Sequence, residues 1–507
     1  MAHFHARDLI GAASGGPSSG PPDQLGPLIG GPRPLPPSAR LSPVVVAGVA
    51  RIGEAAAIVA AGLAMHAVYV SGRAEFGLAY AGAVLAVTLG AAVAFQAIGA
   101  YSISAMRALA VTGLKLSAAW TFVFLGAAAC VFILKAGDQL SRVWLVGWYL
   151  VGLSALLTGR LVLSAWVAAM TRAGRFDRRT AIVGGGEPAF EIIRALQVLP
   201  ESGIRIVGVY DDRDDDRSPA VVGGFEKLGR VSDLVEHARR MPIDLVIFTL
   251  PISAENRLLQ MLGKLWVLPT DIRLSAHASK LRLRPRSYSY IGSVPVLDVF
   301  DRPIADWDLV VKWLFDKVVG LGLLILAAPV LIAAAIAVKL DSPGPVLFRQ
   351  KRHGFNNELI EVFKFRSMYV DQSDSAATRL VTRDDPRVTR VGRFLRRSSI
   401  DELPQLFNVV FKGNLSLVGP RPHALQAKAE NRLYDQVVDG YFARHRVKPG
   451  ITGWAQVNGW RGETDTEMKL QRRVEHDLFY IENWSVFFDL YILAATPVAL
   501  LRSENAY

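Results

Sequence analysis

The stretch Val318–Val338, with the sequence VVGLGLLILAAPVLIAAAIAV, contains 21 residues and no charge. A run of this length and composition is long enough to enter or cross a lipid bilayer as a helix. Basic residues stand at both ends, with Lys312 and Lys317 before the run and Lys339 after it, so both ends favour the cytoplasmic face. Pro329 removes a helical hydrogen bond near the middle and bends the chain. The stretch therefore predicts a re-entrant helix–break–helix over 318–338, with the residues that follow in the cytosol.

The composition of the whole chain indicates further membrane segments. Hydrophobic residues make up 51% of the 507 positions and charged residues 20%, and the mean hydropathy is +0.28. Four apolar runs between residues 43 and 172 predict four transmembrane helices. They are Pro43–Val70, Phe76–Met106, Leu116–Leu134 and Val143–Thr171. A buried bundle of soluble helices is the alternative interpretation, but several runs exceed the length of ordinary core helices.

The residues on either side of these runs set the expected orientation. Four arginines follow the last run: Arg172, Arg175, Arg178 and Arg179. By the positive-inside rule this end is cytoplasmic, and an even number of spans places the N-terminus there too.

Residues 1–42 are rich in Gly, Pro and Ser, and predict a disordered tail. The single cysteine, Cys130, excludes an internal disulfide and a cysteine-based zinc site.

Residues 178–300 alternate short apolar runs with helical periodicity, which predicts a Rossmann-like parallel α/β domain. The predicted strands are Thr180–Val183, Ile204–Tyr210 and Leu245–Leu250, and Ala254–Leu265 is helical. Gly184, Gly186 and Ala189 form a G-x-G-x-x-A pattern directly after the first strand, and Asp211 and Asp212 follow the next. Two interpretations remain open. Gly184 and Gly186 bind the phosphates of a nucleotide cofactor, or they allow a tight turn in a degenerate structural domain.

Residues 308–507 form a further predicted module, which is rich in fixed turns and arginine. Between Arg379 and Arg397 there are seven arginines and two aspartates. Guanidinium groups match phosphate oxygens in geometry, so this density indicates a diphosphate or two phosphorylated substrates. A basic face that docks on anionic lipid is the alternative for any single arginine. The net charge of +12 suits both interpretations.

The acidic pair Asp401–Glu402 lies at the predicted start of a helix. Pro404 is tolerated only in a first turn, which places the start near Asp401, and the helix is expected to end near Gly413. One interpretation makes Asp401 the N-cap, and a capping box of Ser399 with Glu402 competes with it. The other makes Asp401 a carboxylate nucleophile beside Glu402 as a ligand of Mg²⁺.

Several other kinds of catalytic centre find no support in the chain. The nine histidines contain no i,i+4 pair and no HExxH motif, so transition-metal catalysis is not indicated. The sequence also contains no P-loop GxxxxGK[ST], and its GxSxG match, Gly16–Gly20, lies in the Gly/Pro-rich tail and not between a predicted strand and a helix. Neither the P-loop NTPases nor the α/β-hydrolases are therefore indicated.

From about Lys312 to Thr496 the chain resembles the bacterial sugar transferases, the monotopic polyprenyl-phosphate hexose-1-phosphate transferases. The resemblance is carried by Lys312-x-x-x-Asp316, Pro329, SPGPVLFRQ from Ser342, KFRSM from Lys364, DPRVTR from Asp385, SIDELPQL from Ser399, SLVGPRP from Ser416, VKPGITGWAQVNG from Val447 and Asn483-Trp484-Ser485. The four N-terminal helices and the Gly-rich domain are similar to the long-chain branch of that family. The run WRGETD from Trp460 is similar to members that transfer glucose 1-phosphate.

The resemblance implies a reaction and a set of roles. Asp401 would attack the sugar-bearing phosphate of a UDP-sugar and expel UMP, and undecaprenyl phosphate would then take the phosphosugar from the aspartyl intermediate. Glu402 would help to bind Mg²⁺. The candidate substrate contacts are Lys364, Arg366, Arg387, Gln405, Arg421 and Pro422, and Pro329 and Pro404 are structural. The expected protein is a multi-pass protein of the bacterial inner membrane, with its mainly helical catalytic module on the cytoplasmic face. It would perform the first membrane step of exopolysaccharide, capsule or O-antigen synthesis.

Alternatives to this function remain. The same reaction could use galactose or an N-acetylhexosamine. A membrane-anchored nucleotide-sugar dehydratase or epimerase would need a Tyr-x-x-x-Lys pair, which the chain lacks. A non-catalytic scaffold predicts damage to the acidic pair, which is intact. Nucleic acid is not an expected partner, because the arginines lie among Pro-Gly turns without interleaved aromatic residues. The oligomeric state stays open, a homo-oligomer included.

Overall fold

The computed structural model describes residues 40–72, 76–133, 135, 139–198, 203–213, 218–250, 255–275, 289–291, 294–370, 385–423, 428–429, 432–434, 438, 441–460, 462 and 466–502. The chain divides into two compact units, one ending at Arg178 and one beginning at Arg179. Apart from its last three residues, the predicted disordered tail over 1–42 lies outside the described residues.

The first unit is built of helices. They are α1 Pro43–Met65, α2 Leu78–Ala97, α3 Ile103–Arg107, α4 Leu109–Ile133 and α5 Arg142–Arg172, with a π-helical turn, His66–Val70, after α1. Among the described residues of the whole chain, five helices are long and apolar enough to cross a membrane, and four of them lie in this unit. Long apolar helices thus lie where the sequence predicts them. The second predicted run is divided, because Gly99 turns the chain with a φ of +68° and Met106 belongs to the separate α3.

A buried ion pair explains how two of these helices carry charged residues. Arg160 on α5 is 2% exposed, and its Nε lies 2.6 Å from Oε1 of Glu54 on α1. The Tyr101 hydroxyl donates to Glu54 Oε2 at 2.8 Å, and Arg160 Nη1 donates to the Ala100 carbonyl at 2.9 Å. Charged groups in membrane helices are tolerated when they face the interior and pair with one another. The pair therefore joins α1 and α5.

The Gly-rich domain, at the start of the second unit, is a sheet covered by helices. Its elements are β1 Arg178–Val183, α6 Glu187–Gln197, β2 Ile204–Tyr210, β3 Val221–Val222, β4 Phe225–Gly229, α7 Val231–Arg240, β5 Leu245–Phe248, α8 Glu255–Leu265, β6 Asp271–Ser275, β7 Ser289–Ile291 and β8 Val294–Phe300. The 8-stranded sheet has the order β3-β4-β2-β1-β5-β6-β8-β7. Pairs β1–β5, β5–β6 and β2–β4 are parallel, whereas β6–β8, β7–β8 and β3–β4 are antiparallel. The sheet is therefore mixed, and the prediction of a parallel sheet is wrong at its edges.

The turn after β1 has the backbone of the predicted glycine motif. Gly184 has a φ of +104° and Gly186 a φ of +78°, a region that side chains with a Cβ rarely adopt. The amide of Gly185 donates to Asp211 Oδ2 at 2.8 Å. Arg213 Nη2 lies 2.7 Å from the same oxygen. The loop and the acidic residue of the next strand thus bind each other.

The rest of the second unit is the catalytic module. Its elements are α9 Asp306–Asp341, β9 Leu347–His353, β10 Leu359–Phe365, α10 Arg390–Ser398, a 3₁₀ turn Ile400–Glu402, α11 Gln405–Phe407, a π-helical turn Asn408–Lys412, β11 Ser416–Val418, β12 Lys428–Ala429, β13 Arg432–Leu433, a 3₁₀ helix Tyr441–Arg446, β14 Gly450–Thr452, α12 Trp454–Val457, α13 Glu467–Glu482 and α14 Val486–Arg502. Strands β9 and β10 form an antiparallel hairpin, and β11 pairs with β14 in parallel. One hydrophobic cluster joins α9, β10, α10, β11, α13 and α14.

The apolar run that contains Pro329 is one helix. α9 has 36 residues and continues across the proline, so the predicted break is wrong. The loss of one hydrogen bond does not end the helix here, although a proline in a helix interior ordinarily kinks or breaks it. Leu324, Leu331 and Val338 are buried in the cluster of the catalytic module. One side of α9 therefore packs along the module on both sides of the proline.

Both ends of α9 bind the catalytic module. At the first end, Lys312 Nζ lies 2.6 Å from Asp489 Oδ2 on α14. Asp316 Oδ1 accepts hydrogen bonds from the Ser416 hydroxyl at 2.9 Å and the Leu417 amide at 3.0 Å. At the other end, Arg366 Nη2 donates to the carbonyl of Ser342 at 2.6 Å. The module therefore holds the helix by its two ends.

Candidate active site

Asp401 and Glu402 lie in a short turn between two helical segments. α10 ends where Ser399 adopts the left-handed conformation, with a φ of +59°. The 3₁₀ turn Ile400–Glu402 follows directly, and the amide of Glu402 donates to the carbonyl of Ser399 at 3.2 Å. The tight turn places the two carboxylates at the junction of α10 and the segment 405–412.

The predicted helix start near Asp401 is wrong, because the segment with α-helical pitch begins at Gln405. The Ser399 side chain makes no capping hydrogen bond, and the Asp401 carboxylate accepts no hydrogen bond from any residue that the structure describes. Neither the N-cap nor the capping box is therefore formed. Pro404 directly precedes the α-helical segment, and Gly413, with a φ of +65°, ends the helical stretch as predicted.

Glu402 is held by two cations from separate elements. Lys364 Nζ, from the end of β10, lies 2.8 Å from Glu402 Oε1. The guanidinium of Arg421 donates to the same oxygen. Arg421 belongs to the rigid Gly-Pro-Arg-Pro turn that follows β11. The side chains of Lys364, Glu402 and Arg421 are 18%, 13% and 25% exposed, so this is a largely buried cluster with an opening to solvent.

The pKa values of the two carboxylates are shifted in opposite directions. Burial raises the pKa of Glu402, but the charges of Arg421 and Lys364 outweigh this effect and hold its pKa well below the ordinary value. Burial and then the neighbouring Glu402 carboxylate raise the pKa of Asp401 to about 6, against the charges of Lys364, Arg396 and Arg421. Glu402 binds the two cations by direct contact, whereas the Asp401 carboxylate has no such partner within the described part of the chain. Such a group is a candidate nucleophile above its pKa.

One further arginine near the pair, Arg352, was not a candidate from the sequence. Arg352 Nη1 donates to the carbonyl of Pro422 at 2.9 Å, and its Nη2 donates to Gln350 Oε1 at 2.6 Å. Burial, and then the charge of Arg421, lower the pKa of Arg352 to about 10. Alternation along β9 puts Gln350 and Arg352 on one face of the strand, a signal that could have separated Arg352 from the basic flank of the membrane helix.

The comparisons with known proteins bear directly on this arrangement. A family model described as bacterial sugar transferase matches residues 307–503. A protein named UDP-glucose:undecaprenyl-phosphate glucose-1-phosphate transferase, from Xanthomonas campestris pv. campestris, is 37% identical over 396 residues, which are 77% of this chain and 81% of that protein. The chain belongs to the bacterial sugar transferase family. A relative of the same name from Escherichia coli (strain K12) is 37% identical over 388 residues, 76% of this chain and 81% of that protein.

Further matches of this sugar transferase extend over its N-terminal half. An undecaprenyl-phosphate glucose phosphotransferase from Komagataeibacter xylinus is 43% identical over 347 residues, 67% of this chain and 61% of that protein. A family model described as a CoA-binding domain matches residues 96–276, which include the last helices of the first unit and most of the Gly-rich domain. Because Gly185 already binds Asp211, nucleotide binding at Gly184 and Gly186 stays a prediction.

Arg366, a predicted substrate contact of the transferase, lies at the end of α9 and not at Glu402. It is 5% exposed, its Nη2 donates to the carbonyls of Val338 at 3.3 Å and Ser342 at 2.6 Å, and its Nη1 donates to the carbonyl of Pro343. These are carbonyls left without partners where the helix ends. The guanidinium of Arg366 therefore caps α9, and a phosphate contact by Arg366 stays a prediction.

The remaining predicted substrate contacts have different partners in the structure. Arg387 forms a fork on its neighbour Asp385, with Nη2 at 2.6 Å from Oδ2 and Nε at 2.9 Å from Oδ1, and this pair shapes the turn before α10. Gln405 is 4% exposed, directly after Pro404. The carbonyl of Pro422 accepts a hydrogen bond from Arg352. Lys364 and Arg421 are thus the two predicted cations that the structure brings to the acidic pair.

The acidic pair offers oxygen ligands of the kind that Mg²⁺ binds. No group of three or more His, Cys, Asp or Glu side chains that could hold a metal ion occurs within the described part of the chain. Mg²⁺ commonly binds one or two carboxylates together with the phosphates of a substrate and water. The carboxylate of Asp401 beside Glu402 fits that donor set. Mg²⁺ at Glu402 stays a prediction.

Proposed function

We propose that this protein transfers glucose 1-phosphate from UDP-glucose to undecaprenyl phosphate, with release of UMP and formation of undecaprenyl-diphosphate-glucose. The observation that carries the proposal is the asymmetry of the acidic pair. Lys364 and Arg421 neutralise Glu402, and the carboxylate of the neighbouring Asp401 has no hydrogen bond or ion pair with the described residues. The names of the relatives support glucose as the sugar and undecaprenyl phosphate as the acceptor.

The first half of the reaction forms a covalent intermediate on Asp401. A carboxylate oxygen attacks the sugar-bearing phosphorus of UDP-glucose, the bond from this phosphorus to the bridging oxygen breaks, and UMP leaves with the electron pair. Lys364 and Arg421 lie beside the nucleophile, where they stabilise negative charge on the phosphoryl oxygens. A Mg²⁺ ion bound by Glu402 and the diphosphate would add charge neutralisation.

The second half of the reaction returns Asp401 to its free state. An oxygen of undecaprenyl phosphate attacks the phosphorus of the aspartyl phosphosugar, and the bond between the carboxylate and the phosphorus breaks. The same two cations serve both steps, because both transfers pass through the same phosphorus. Such a reaction requires alignment and charge stabilisation more than acid–base groups.

The acceptor lipid requires the site to lie at the membrane surface, and α9 would meet this requirement as a continuous helix that bends at Pro329 and returns to the face from which it entered. A helix of 36 residues is about 54 Å long, more than the roughly 30 Å hydrocarbon core. Both of its ends bind one module, through Lys312 with Asp489 and through Arg366 with Ser342. A helix whose ends lie on opposite faces could not keep both contacts. Basic residues flank both ends of the apolar run, which supports a catalytic module on the cytoplasmic face of the inner membrane after four spans.

Labelling with a membrane-impermeant maleimide tests this topology. In a Cys130→Ala background, Lys351→Cys on β9 reports the catalytic module, and Lys135→Cys between α4 and α5 is the matched control for the outer face. In intact cells we expect position 135 to react and position 351 to react only after lysis. Reaction of position 351 in intact cells would contradict the re-entrant topology.

UMP release tests the reaction. Purified protein in detergent is incubated with Mg²⁺, undecaprenyl phosphate and each of UDP-glucose, UDP-galactose, UDP-N-acetylglucosamine and UDP-N-acetylgalactosamine. We expect UMP from UDP-glucose and a lipid product that carries glucose. UMP from another donor would keep the reaction and replace the sugar. Release of UDP, or of no nucleotide from any donor, would contradict the transferase function.

A further inference from the structure

The two cations that hold Glu402 belong to elements that reach the Gly-rich domain. Lys364 lies near the end of β10, in the β9–β10 hairpin. The backbone of Arg421 is bound by the 3₁₀ helix Tyr441–Arg446, because Arg444 Nη2 donates to the Arg421 carbonyl at 2.7 Å. The hairpin and the 3₁₀ helix meet one residue of α7, Arg239, as the following contacts describe.

The tip of the β9–β10 hairpin binds the C-terminal end of α7. Asn356 and Asn357 have φ values of +50° and +60°, a conformation that asparagine tolerates in turns. Asn356 Nδ2 donates to the carbonyl of Ala238 at 2.9 Å, one of the groups that a helix end leaves without a partner. With its amide nitrogen oriented toward His445, Asn357 accepts from Arg239 Nη2 at 3.1 Å and Nε at 3.3 Å.

The 3₁₀ helix packs against the same arginine. The guanidinium carbon of Arg239 lies 4.8 Å from the centre of the Phe442 ring, a cation–π distance. His445 stacks on His353 at the end of β9, with ring centres 5.7 Å apart. Arg446 Nη2 also donates to the Asp301 carbonyl, just after β8, at 3.2 Å. Arg239 therefore touches both the hairpin and the 3₁₀ helix.

The inner side of the 3₁₀ helix is rigid. Arg444 and Asp477 form an ion pair at 2.6 Å, and their side chains are 0% and 2% exposed. Burial, and then the charge of Arg444, lower the pKa of His423 well below its ordinary value, so His423 is neutral and its Nδ1 accepts from Arg444 Nη1 at 2.6 Å. A shift of the 3₁₀ helix is thus transmitted to the backbone of Arg421.

We propose that Arg239 is a positioning residue, through which the Gly-rich domain sets the placement of Lys364 and Arg421 around Glu402. The role rests on the proposed function, since these two cations act on the transferred phosphate. The contacts of Arg239 with the catalytic module lie at Asn357 and Phe442 and not at the acidic pair. Its influence passes through Asn357 to the hairpin that carries Lys364, and through Phe442 to the helix that binds Arg421. The Gly-rich domain thereby gains a part in catalysis that does not depend on a bound nucleotide.

Steady-state kinetics of the full-length protein test this role. Arg239→Ala is compared with Arg240→Ala. Arg240 is the next residue on α7, and its Nη2 lies 3.5 Å from Glu236 Oε1 on the same helix. We expect Arg239→Ala to lower kcat by about 3- to 30-fold, the range of coupling through such networks, with the KM for undecaprenyl phosphate unchanged. Arg239→Lys keeps a cation at the Phe442 ring but loses the fork on Asn357, and we expect it to restore part of kcat. Arg240→Ala should match the wild type.

A second background separates positioning from general destabilisation. In Arg421→Lys, which already lacks the guanidinium, the added effect of Arg239→Ala should be smaller than in the wild type, because the two changes act on one interaction. An equal effect in both backgrounds, or an Arg239→Ala variant with the kinetics of Arg240→Ala, would overturn the role of Arg239. Wild-type protein that releases no UMP from any donor would overturn the proposed function and this role with it.

Discussion

Asp211–Asp212 in the Gly-rich domain and Asp401–Glu402 in the catalytic module are both adjacent acidic residues near arginines, but their environments differ. Asp211 is 1% exposed and binds the Gly185 amide at 2.8 Å and Arg213 at 2.7 Å. Asp212 Oδ1 accepts from the Val231 amide at 2.8 Å, at the start of α7. The chain itself thus satisfies both carboxylates.

In the second pair, Asp401–Glu402, only Glu402 is neutralised by direct ion pairs. Glu402 binds Lys364 and Arg421, whereas the half-buried Asp401 lies next to a negative charge and accepts no hydrogen bond from the described residues. Burial and Glu402 raise the pKa of Asp401 to about 6. The comparison teaches that a structural carboxylate receives its hydrogen bonds and ion pairs from the protein itself, whereas a catalytic carboxylate is left available to a substrate.

The largest expected effect comes from the unpaired carboxylate. Asp401→Asn keeps the size of the side chain but removes the nucleophile, so we expect UMP release from UDP-glucose to fall by at least about 10³-fold. Thermal unfolding in detergent should change little, because Asp401 makes no hydrogen bond to the described residues. Near-normal turnover in Asp401→Asn would remove Asp401 from this role and erase the difference between the two pairs.

The next effect distinguishes an arginine at the site from an arginine in a local turn. Arg421→Ala should lower kcat/KM for UDP-glucose by about 10²- to 10³-fold, since a positioned charge next to the transferred phosphate is lost. Arg387→Ala is the matched control, because Arg387 pairs with Asp385. We expect it to lower kcat/KM by less than about tenfold. A larger loss in Arg387→Ala than in Arg421→Ala would contradict this assignment.

The pH dependence follows from the raised pKa of Asp401. The nucleophile must be ionised, so activity should be constant above pH of about 6 and fall about tenfold per unit below it. Glu402→Gln removes the neighbouring negative charge and frees two cations, so the midpoint of the residual activity should move to lower pH. Initial rates of UMP release between pH 5 and pH 8 measure both profiles. A Glu402→Gln midpoint at the wild-type pH or above would show that the pair does not couple.

The smallest effect on turnover is expected at the satisfied pair. Burial raises the pKa of Asp211, but the hydrogen bonds and charge of Arg213 outweigh it and hold the pKa below its ordinary value. Its ionised form therefore stabilises the fold above the pKa of the unfolded chain, and this stabilisation is lost as the pH falls through the folded pKa. Asp211→Asn should lower the free energy of unfolding by about 1–3 kcal/mol at pH 7, with little change in kcat. Thermal unfolding and UMP release on the same sample measure both. A large loss of kcat without destabilisation would give this pair a functional part.

The helices and the inner strands were predictable from the sequence, because local pattern determines them. The strand Ile204–Tyr210 has its predicted bounds, and the predicted strand Leu245–Leu250 ends two residues early, at Phe248. The antiparallel edge strands β3 and β7 were not predicted, because two and three residues are too few to show an alternating pattern. The sequence predicts a helix for the turn that carries Asp401, because Pro404 and the apolar spacing fit both a 3₁₀ and an α-helical start.

The candidate site was predictable in residue type and only partly in placement. Lys364 and Arg421 were candidates from their motifs, and in the structure both side chains form ion pairs with Glu402. Arg366 and Arg387 looked equivalent, because a motif shows which residues are basic but not which carbonyl or carboxylate they meet. Arg366 caps α9 and Arg387 binds Asp385, contacts that exist only once the chain is folded. The contacts of Arg239 with the catalytic module join distant segments, and no local pattern reveals them.

Intact-protein mass spectrometry tests the central claim, that Asp401 forms a covalent phosphosugar. The wild-type protein is incubated with UDP-glucose and Mg²⁺ in the absence of undecaprenyl phosphate, and Asp401→Asn is treated in parallel. We predict a mass increase of one hexose phosphate on the wild type, located at Asp401 by peptide mapping and removed when undecaprenyl phosphate is added. An adduct on Asp401→Asn, or turnover of the wild type with no adduct at any time, would contradict the account.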